Sequence, residues 1–160
     1  MVCEAKIKKF IKILSKKKIK LCIAESITGG SFAYKIIKNE GASKIIDYSI
    51  VCYSNNSKRE ILNIKEIAKY GVVSKEVAKA MAKEVVRYSD SKKILALSCT
   101  GQAGPKKLNQ KETIGSVYIG VNYNEVNFSI KRKIQEKKRL AIIDATVNEM
   151  IDIGLKTILR

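Results

Sequence analysis

The sequence predicts an α/β protein, a single three-layer α/β/α domain with a mixed sheet, and three observations support this prediction. A chain of 160 residues with 46% hydrophobic content can bury one core but is short for two. Short apolar runs alternate with longer segments in which apolar residues recur at helical spacing, as in βα units. Two later apolar runs are separated by only three residues, which predicts an antiparallel hairpin added to the sheet. We therefore expect one domain over residues 1–160.

The first half of the chain alternates helical and extended patterns. Residues 2–17 place apolar side chains at helical spacing and predict an amphipathic helix. We predict a strand over 20–24, a helix over 28–39, a strand over 45–53, a short helix from near 58 to 62–63, and a small helix over 65–69. Thr28 is a candidate cap for the second helix, and four capping-type residues, 54–57, precede the third.

The second half begins with a helix that Ser74 caps and ends with the clearest helical pattern in the chain. We predict a strand over 93–99, a glycine-rich turn with the only proline, a polar loop, and a hairpin of strands 115–122 and 126–134. The last helix is expected over 136–159. Its apolar stripe consists of Leu140, Ile143, Val147, Met150, Ile151 and Ile158.

Composition excludes several kinds of site. The chain has no histidine, which excludes a Ser-His-Asp triad and any histidine-ligated metal. The four cysteines show no metal-type pairing, and three of them lie in apolar runs, which is typical of buried reduced thiols. We therefore expect neither a metal nor a cofactor.

The formal net charge of +17 would attract polyanions whatever the fold. The lysines, however, are spread along nearly every amphipathic segment, and the densest cluster (131–133 and 137–139) contains no aromatic residues. A general lysine bias explains this better than dedicated nucleic-acid binding. No run reaches membrane-spanning length, and the basic first 20 residues lack the apolar core of a signal peptide, so we expect a cytoplasmic protein without membrane contact.

Unusual residues follow three of the predicted strands. Glu25 and Ser26 end the first strand and lead into Thr28, Gly29 and Gly30. An ordinary turn explains these residues if Thr28 caps the helix and the glycines relieve crowding. If the strands are parallel neighbours, however, their carboxyl ends form a site at which Ser26, Tyr53, Lys58 and Thr100 converge.

Four motifs occur in one order: Glu25–Gly30, Tyr53–Lys58, Tyr70–Ser74 and Thr100–Pro105, followed by a Gly-Ser-Val-Tyr run at Gly115–Tyr118. Together they resemble the C-terminal domain of the CinA (competence/damage-inducible) family over essentially the whole chain. Stand-alone members of that family are nicotinamide-nucleotide amidohydrolases. The resemblance implies a CinA C-terminal-domain-like fold, deamidation of nicotinamide mononucleotide to nicotinate mononucleotide and ammonia, a small-molecule nucleotide substrate and a homo-oligomer.

The same resemblance implies a serine nucleophile at Ser26, with Lys58 and Tyr53 as its partners. Lysine ordinarily titrates near pH 10.4, so Lys58 can act as the base only if burial or cationic neighbours lower its pKa. Tyr53 could relay the proton instead, and the structural alternative for Lys58 is a solvated side chain in a first helical turn. We expect backbone N–H groups around Thr28 and Gly29 to stabilise an oxyanion. The predicted substrate-binding residues are Glu25, Thr28, Gly29, Gly30, Thr100, Gly101 and Gly104.

The chain departs from the family pattern at two places. After Pro105, a Gly-Gly run and Lys-Pro-Val-Gly-Thr are replaced by residues 106–110 and 113–116. Before the last helix, Gly-Asp-Arg is replaced by Gln135–Arg139, and lysine does not substitute for an arginine that binds phosphate bidentately. These changes leave Ser26 in place and affect substrate binding. The alternative is therefore a catalytically silent nucleotide-binding or interaction module of the same fold.

Overall fold

The structure, a computed structural model, describes residues 3–106 and 112–160. Residues 107–111 of the predicted polar loop lie outside the described part of the chain. One five-stranded sheet has the spatial order β2-β1-β3-β4-β5. The strands are β1 (Lys20–Glu25), β2 (Ile46–Val51), β3 (Ile94–Gly101), β4 (Ser116–Tyr123) and β5 (Val126–Lys133).

The sheet is mixed, as predicted. β1 pairs in parallel with both β2 and β3, and the hairpin β4–β5 extends the sheet with antiparallel pairs. The register aligns Glu25 with Val51 on one side and with Cys99 on the other. The segments that follow these three strands therefore leave the sheet side by side at one edge.

Helices cover both faces of the sheet and complete the three layers. They are α1 (Glu4–Lys16), α2 (Ser31–Ile37), α3 (Ala42–Ile45), α4 (Asn55–Leu62), α5 (Ile67–Tyr70), α6 (Lys75–Val85) and α7 (Arg139–Ile158). Alternate residues of β1 point to opposite faces. Leu21 and Ile23 pack with α1, α2, α3 and α7, whereas Cys22 and Ala24 pack with α4, α5 and α6.

Three local features differ from the sequence-based predictions. The four-residue helix α3 was not expected, because it is too short to show a helical pattern. Gly30, with a left-handed φ of 95°, precedes α2 in place of the predicted Thr28 cap. The last helix begins at Arg139, and Leu140 is 72% exposed and does not belong to the buried stripe. Within the described residues, no helix has the length and apolar character needed to cross a membrane.

Candidate active site

Ser26 follows β1 directly and lies at the edge where the parallel strands end. Only 8% of the residue is exposed. Its carbonyl oxygen accepts a hydrogen bond from the Gly29 N–H at 3.1 Å, which closes a tight turn. Within residues 3–106 and 112–160 its hydroxyl makes no hydrogen bond, so it is available to a ligand.

Glu25 is fully buried beneath this turn and holds the start of α2. Its carboxylate accepts hydrogen bonds from the backbone N–H groups of Gly30, Phe32 and Ala33 at 3.1, 3.0 and 2.9 Å. An anion at this position satisfies donors that have no partner within the helix and complements the helix dipole. Glu25 therefore serves the helix and does not line the cavity described below.

Three N–H groups at the predicted oxyanion site and beside it are already paired. Gly29 donates to Ser26, Gly30 donates to Glu25, and Ser31 donates to the carbonyl oxygen of Thr28 at 2.9 Å. These three donors are therefore not available to an oxyanion. The two glycines serve the turn, since both have positive φ angles of 57° and 95°.

Thr28 also faces the protein interior. Its hydroxyl lies 3.0 Å from the thiol of Cys99, and both residues are buried. Burial, helped by the charge of Glu25, raises the pKa of Cys99 to about 11, so this thiol stays protonated and unreactive. Glu25, Thr28, Gly29 and Gly30 thus do not line the cavity described below.

A cavity of about 410 Å³ opens at the carboxyl ends of β1, β2 and β3. Six of the predicted site residues line it: Ser26, Tyr53, Lys58, Thr100, Gly101 and Gly104. They come from three separate segments that the parallel register brings together. Among the described residues, no group of three or more His, Cys, Asp or Glu side chains is arranged to hold a metal ion.

Lys58 is the buried cation of this cavity. A capping box between Ser54 and Ser57 starts α4 at Asn55, one turn earlier than predicted. Lys58 therefore lies at the end of the first turn, and its side chain is fully buried. The alternative of a solvated lysine is wrong.

The ammonium group of Lys58 points back to the segment before its own helix. Nζ donates to the carbonyl oxygens of Cys52 at 2.7 Å and Tyr53 at 3.1 Å. Burial lowers the pKa of Lys58 from 10.5 to about 8. A neutral amine has two N–H donors, which these two carbonyls satisfy, and its lone pair then occupies the remaining tetrahedral position.

Tyr53 forms an exposed wall of the cavity. Its hydroxyl contacts Arg139, which the sequence did not indicate as a site residue. Arg139, the first residue of α7, donates to the Tyr53 hydroxyl at 2.7 Å and to the Gly104 carbonyl at 2.6 Å. It bridges two walls of the cavity, near the exposed Lys106. The only sequence signal for Arg139 was its place at the start of the last helix, within a run of charged residues.

The third wall consists of the end of β3 and the glycine-rich turn that follows it. Thr100 donates its hydroxyl hydrogen to the carbonyl oxygen of Val72 at 2.8 Å, so its side chain ties the wall to the segment before α6. A Cβ atom at Gly101 would lie 2.7 Å from the carbonyl oxygen of Ser116. Only glycine allows the strand to pass this close.

A cavity at the carboxyl ends of parallel strands is where α/β proteins bind ligands and carry out catalysis. The fold and the cavity therefore define an α/β protein with a candidate site at the carboxyl ends of its parallel strands. Comparison with known proteins is more specific. The chain matches the CinA C-terminal domain family over residues 4–158 and belongs to that family.

Relatives and solved structures agree with this assignment. The chain is 38% identical over 150 residues to a CinA-like protein of Endomicrobium trichonymphae, a match that covers 89% of this chain and 33% of the relative. The chain thus spans about a third of the length of the curated relatives it matches.

Two crystal structures share the fold. The competence/damage inducible protein CihA of Agrobacterium tumefaciens superposes with a TM-score of 0.89 at 24% identity, covering 98% of this chain and 95% of that one. A CinA superfamily protein of Klebsiella pneumoniae gives 0.91 at 18% identity, covering 98% and 97%. At these identities, the structures support the fold.

Proposed function

We propose that this domain hydrolyses the carboxamide of nicotinamide mononucleotide to nicotinate mononucleotide and ammonia, with Ser26 as the nucleophile. The observation that carries the proposal is that Ser26 and Lys58 line the same cavity. A serine hydroxyl that forms no hydrogen bond with any described residue shares the cavity with a buried lysine, whose pKa of about 8 makes it a usable base near neutral pH. Membership of the CinA C-terminal domain family agrees with this chemistry.

In the proposed reaction, neutral Lys58 accepts the hydroxyl proton as the Ser26 oxygen attacks the carboxamide carbon. The tetrahedral intermediate then collapses and its C–N bond breaks. The amide nitrogen takes the proton from Lys58 and leaves as ammonia. Water next attacks the acyl-serine ester, giving the carboxylic acid and restoring the Ser26 hydroxyl.

Tyr53 and Arg139 bear on proton transfer and on substrate binding in the proposed site. The Tyr53 hydroxyl already accepts a hydrogen bond from Arg139, so a proton relay through Tyr53 would be coupled to that guanidinium. Arg139 and Lys106 also supply positive charge that suits a phosphorylated substrate. A cavity of about 410 Å³ lies in the range that small-molecule ligands occupy.

The test is a turnover assay with nicotinamide mononucleotide that follows ammonia and nicotinate mononucleotide. We expect Ser26→Ala to lower kcat by about 10³-fold or more, since it removes the nucleophile. The matched control is Ser49→Ala, which removes an exposed hydroxyl of β2 outside the cavity and should leave kcat unchanged.

Two results would contradict the proposal. One is equal turnover by the parent protein and Ser26→Ala, which would place the reaction elsewhere. The other is calorimetric binding of the mononucleotide by the parent protein without any product. That second result would indicate the silent nucleotide-binding module.

A further inference from the structure

A second concave surface lies away from the active-site cavity, between α1 and the segment that joins α2 to α3. The groove has a volume of about 680 Å³ and shares no residue with the active-site cavity. It lies toward the amino ends of β1 and β2, the opposite edge of the sheet. Its lining residues are Lys8, Ile11, Lys12, Ser15, Lys38, Asn39, Glu40, Gly41 and Lys44.

Positive charge exceeds negative charge in this groove. Of its four lysines, Lys38 alone forms an ion pair in the described part of the chain, and its partner is Glu4. Lys8, Lys12 and Lys44 form none within the described residues, and the only carboxylate in the lining is Glu40. Lys20 adds a further ammonium group, because its Nζ donates to the carbonyl oxygen of Lys44 at 3.0 Å.

The lysines of α1 form a row. Lys8, Lys12 and Lys16 are exposed and follow one another at intervals of four residues. Like charges at this spacing destabilise a helix unless an anion lies over them. At 1.5 Å per residue the row is about 12 Å long, enough to face more than one phosphate of a duplex strand.

The other lining residues indicate which kind of partner the groove suits. The one large apolar residue in it, Ile11, is only 4% exposed, and none of the lining residues is aromatic. A protein interface would offer an apolar centre, and a single-stranded nucleic acid would require aromatic side chains for base stacking. Lysines alone contact phosphates and do not read bases.

We propose that this groove binds the sugar-phosphate backbone of a double-stranded nucleic acid, independently of sequence. The chain-wide spread of lysines did not predict such a site, because only folding brings the row on α1 together with Lys44. The proposal does not depend on the reaction proposed for Ser26, and both sites can be occupied at once.

The test measures binding of fluorescently labelled short duplex DNA and duplex RNA by anisotropy over about 50 to 200 mM salt. The groove variant is Lys8→Gln/Lys12→Gln/Lys44→Gln. The matched control, Lys65→Gln/Lys79→Gln/Lys83→Gln, removes the same charge from exposed lysines on α6 and before α5. Circular dichroism checks the fold, and Lys12→Gln alone serves if the triple variant unfolds.

We expect the groove variant to bind at least about tenfold more weakly, and the slope of log affinity against log salt to fall by about 3, or about 1 for Lys12→Gln alone. The control variant should stay within about threefold of the parent protein. Tight binding of either duplex supports the proposal and identifies which one is bound.

Three outcomes would overturn it. Equal losses in the groove and control variants would mean diffuse charge attraction. Absence of binding by the parent protein near physiological salt would mean that no site exists. Equal affinity for polyglutamate of matched charge would indicate an acidic polypeptide partner.

Discussion

At the scale of single residues, Lys58 shows how burial changes a side chain that is common elsewhere in this chain. Most other lysines are exposed, but Lys58 has no exposed surface and donates to two carbonyl oxygens. Burial lowers its pKa to about 8 because the charged form loses water without gaining a carboxylate partner. A lysine can act as a base near neutral pH only if its pKa is lowered, and the burial of Lys58 lowers it.

The first prediction concerns the pH dependence of deamidation. The base must be neutral, so kcat/KM should fall as pH drops below about 8 and level off above it. Lys58→Met should lower kcat/KM by about 10² to 10⁴-fold and remove this titration. Lys58→Arg should be equally inactive, since a guanidinium stays protonated.

The control for that measurement is Lys65→Met, which alters an exposed lysine outside the cavity and should keep the parent profile. A rate that stays constant through pH 8 in the parent protein would argue against Lys58 as the base. So would an unchanged rise with pH in Lys58→Met.

Not every site residue could be found from sequence. Ser26 and Lys58 were identifiable because each follows a strand within a motif. Arg139 was not, because its contact with Tyr53 joins residues 86 positions apart. Nor could the sequence show that the Glu25 carboxylate accepts hydrogen bonds from the start of α2, so that Ser26 lines the cavity and Glu25 does not.

At the scale of elements, the strands were predicted well and the short helices less so. Buried strands such as β1 and β3 are continuous apolar runs with clear ends. The four-residue helix α3 depends on tertiary contacts through Ala42 and Ile45, which leave no periodic pattern. The start of α7 was placed three residues early, because the charged residues before Arg139 carry no apolar period that marks a helix boundary.

The second prediction concerns the junction of β1 and α2. Glu25→Gln replaces a carboxylate that accepts three backbone N–H bonds with an amide whose NH₂ group cannot accept any. We expect the free energy of unfolding in urea to fall by about 3 kcal/mol, because charged hydrogen bonds in a buried site are lost.

Glu60→Gln is the matched control, since Glu60 is exposed on α4 and forms no ion pair within the described residues. It should change the free energy of unfolding by no more than about 0.5 kcal/mol. Equal stability of the two variants would show that the Glu25 carboxylate does not hold α2.

At the scale of the whole molecule, charge is the dominant property. The chain has 32 basic and 15 acidic residues. Within the described residues, only seven of the basic side chains form ion pairs: Lys6, Lys35, Lys38, Lys75, Arg87, Lys131 and Arg132. The folded state therefore concentrates positive charge that the unfolded chain would spread over a larger volume.

The last prediction follows from this imbalance. Salt screens repulsion between exposed charges, and the Debye length falls from about 30 Å at 0.01 M to about 3 Å at 1 M. Potassium chloride should therefore stabilise the folded state, raising the free energy of unfolding in urea by about 1 kcal/mol or more over that range. Urea is the appropriate denaturant because guanidinium is itself a salt. The groove variant, with three fewer lysines, should show a smaller increase than the parent protein. A free energy that falls with salt would mean that attractive surface ion pairs outweigh the repulsion.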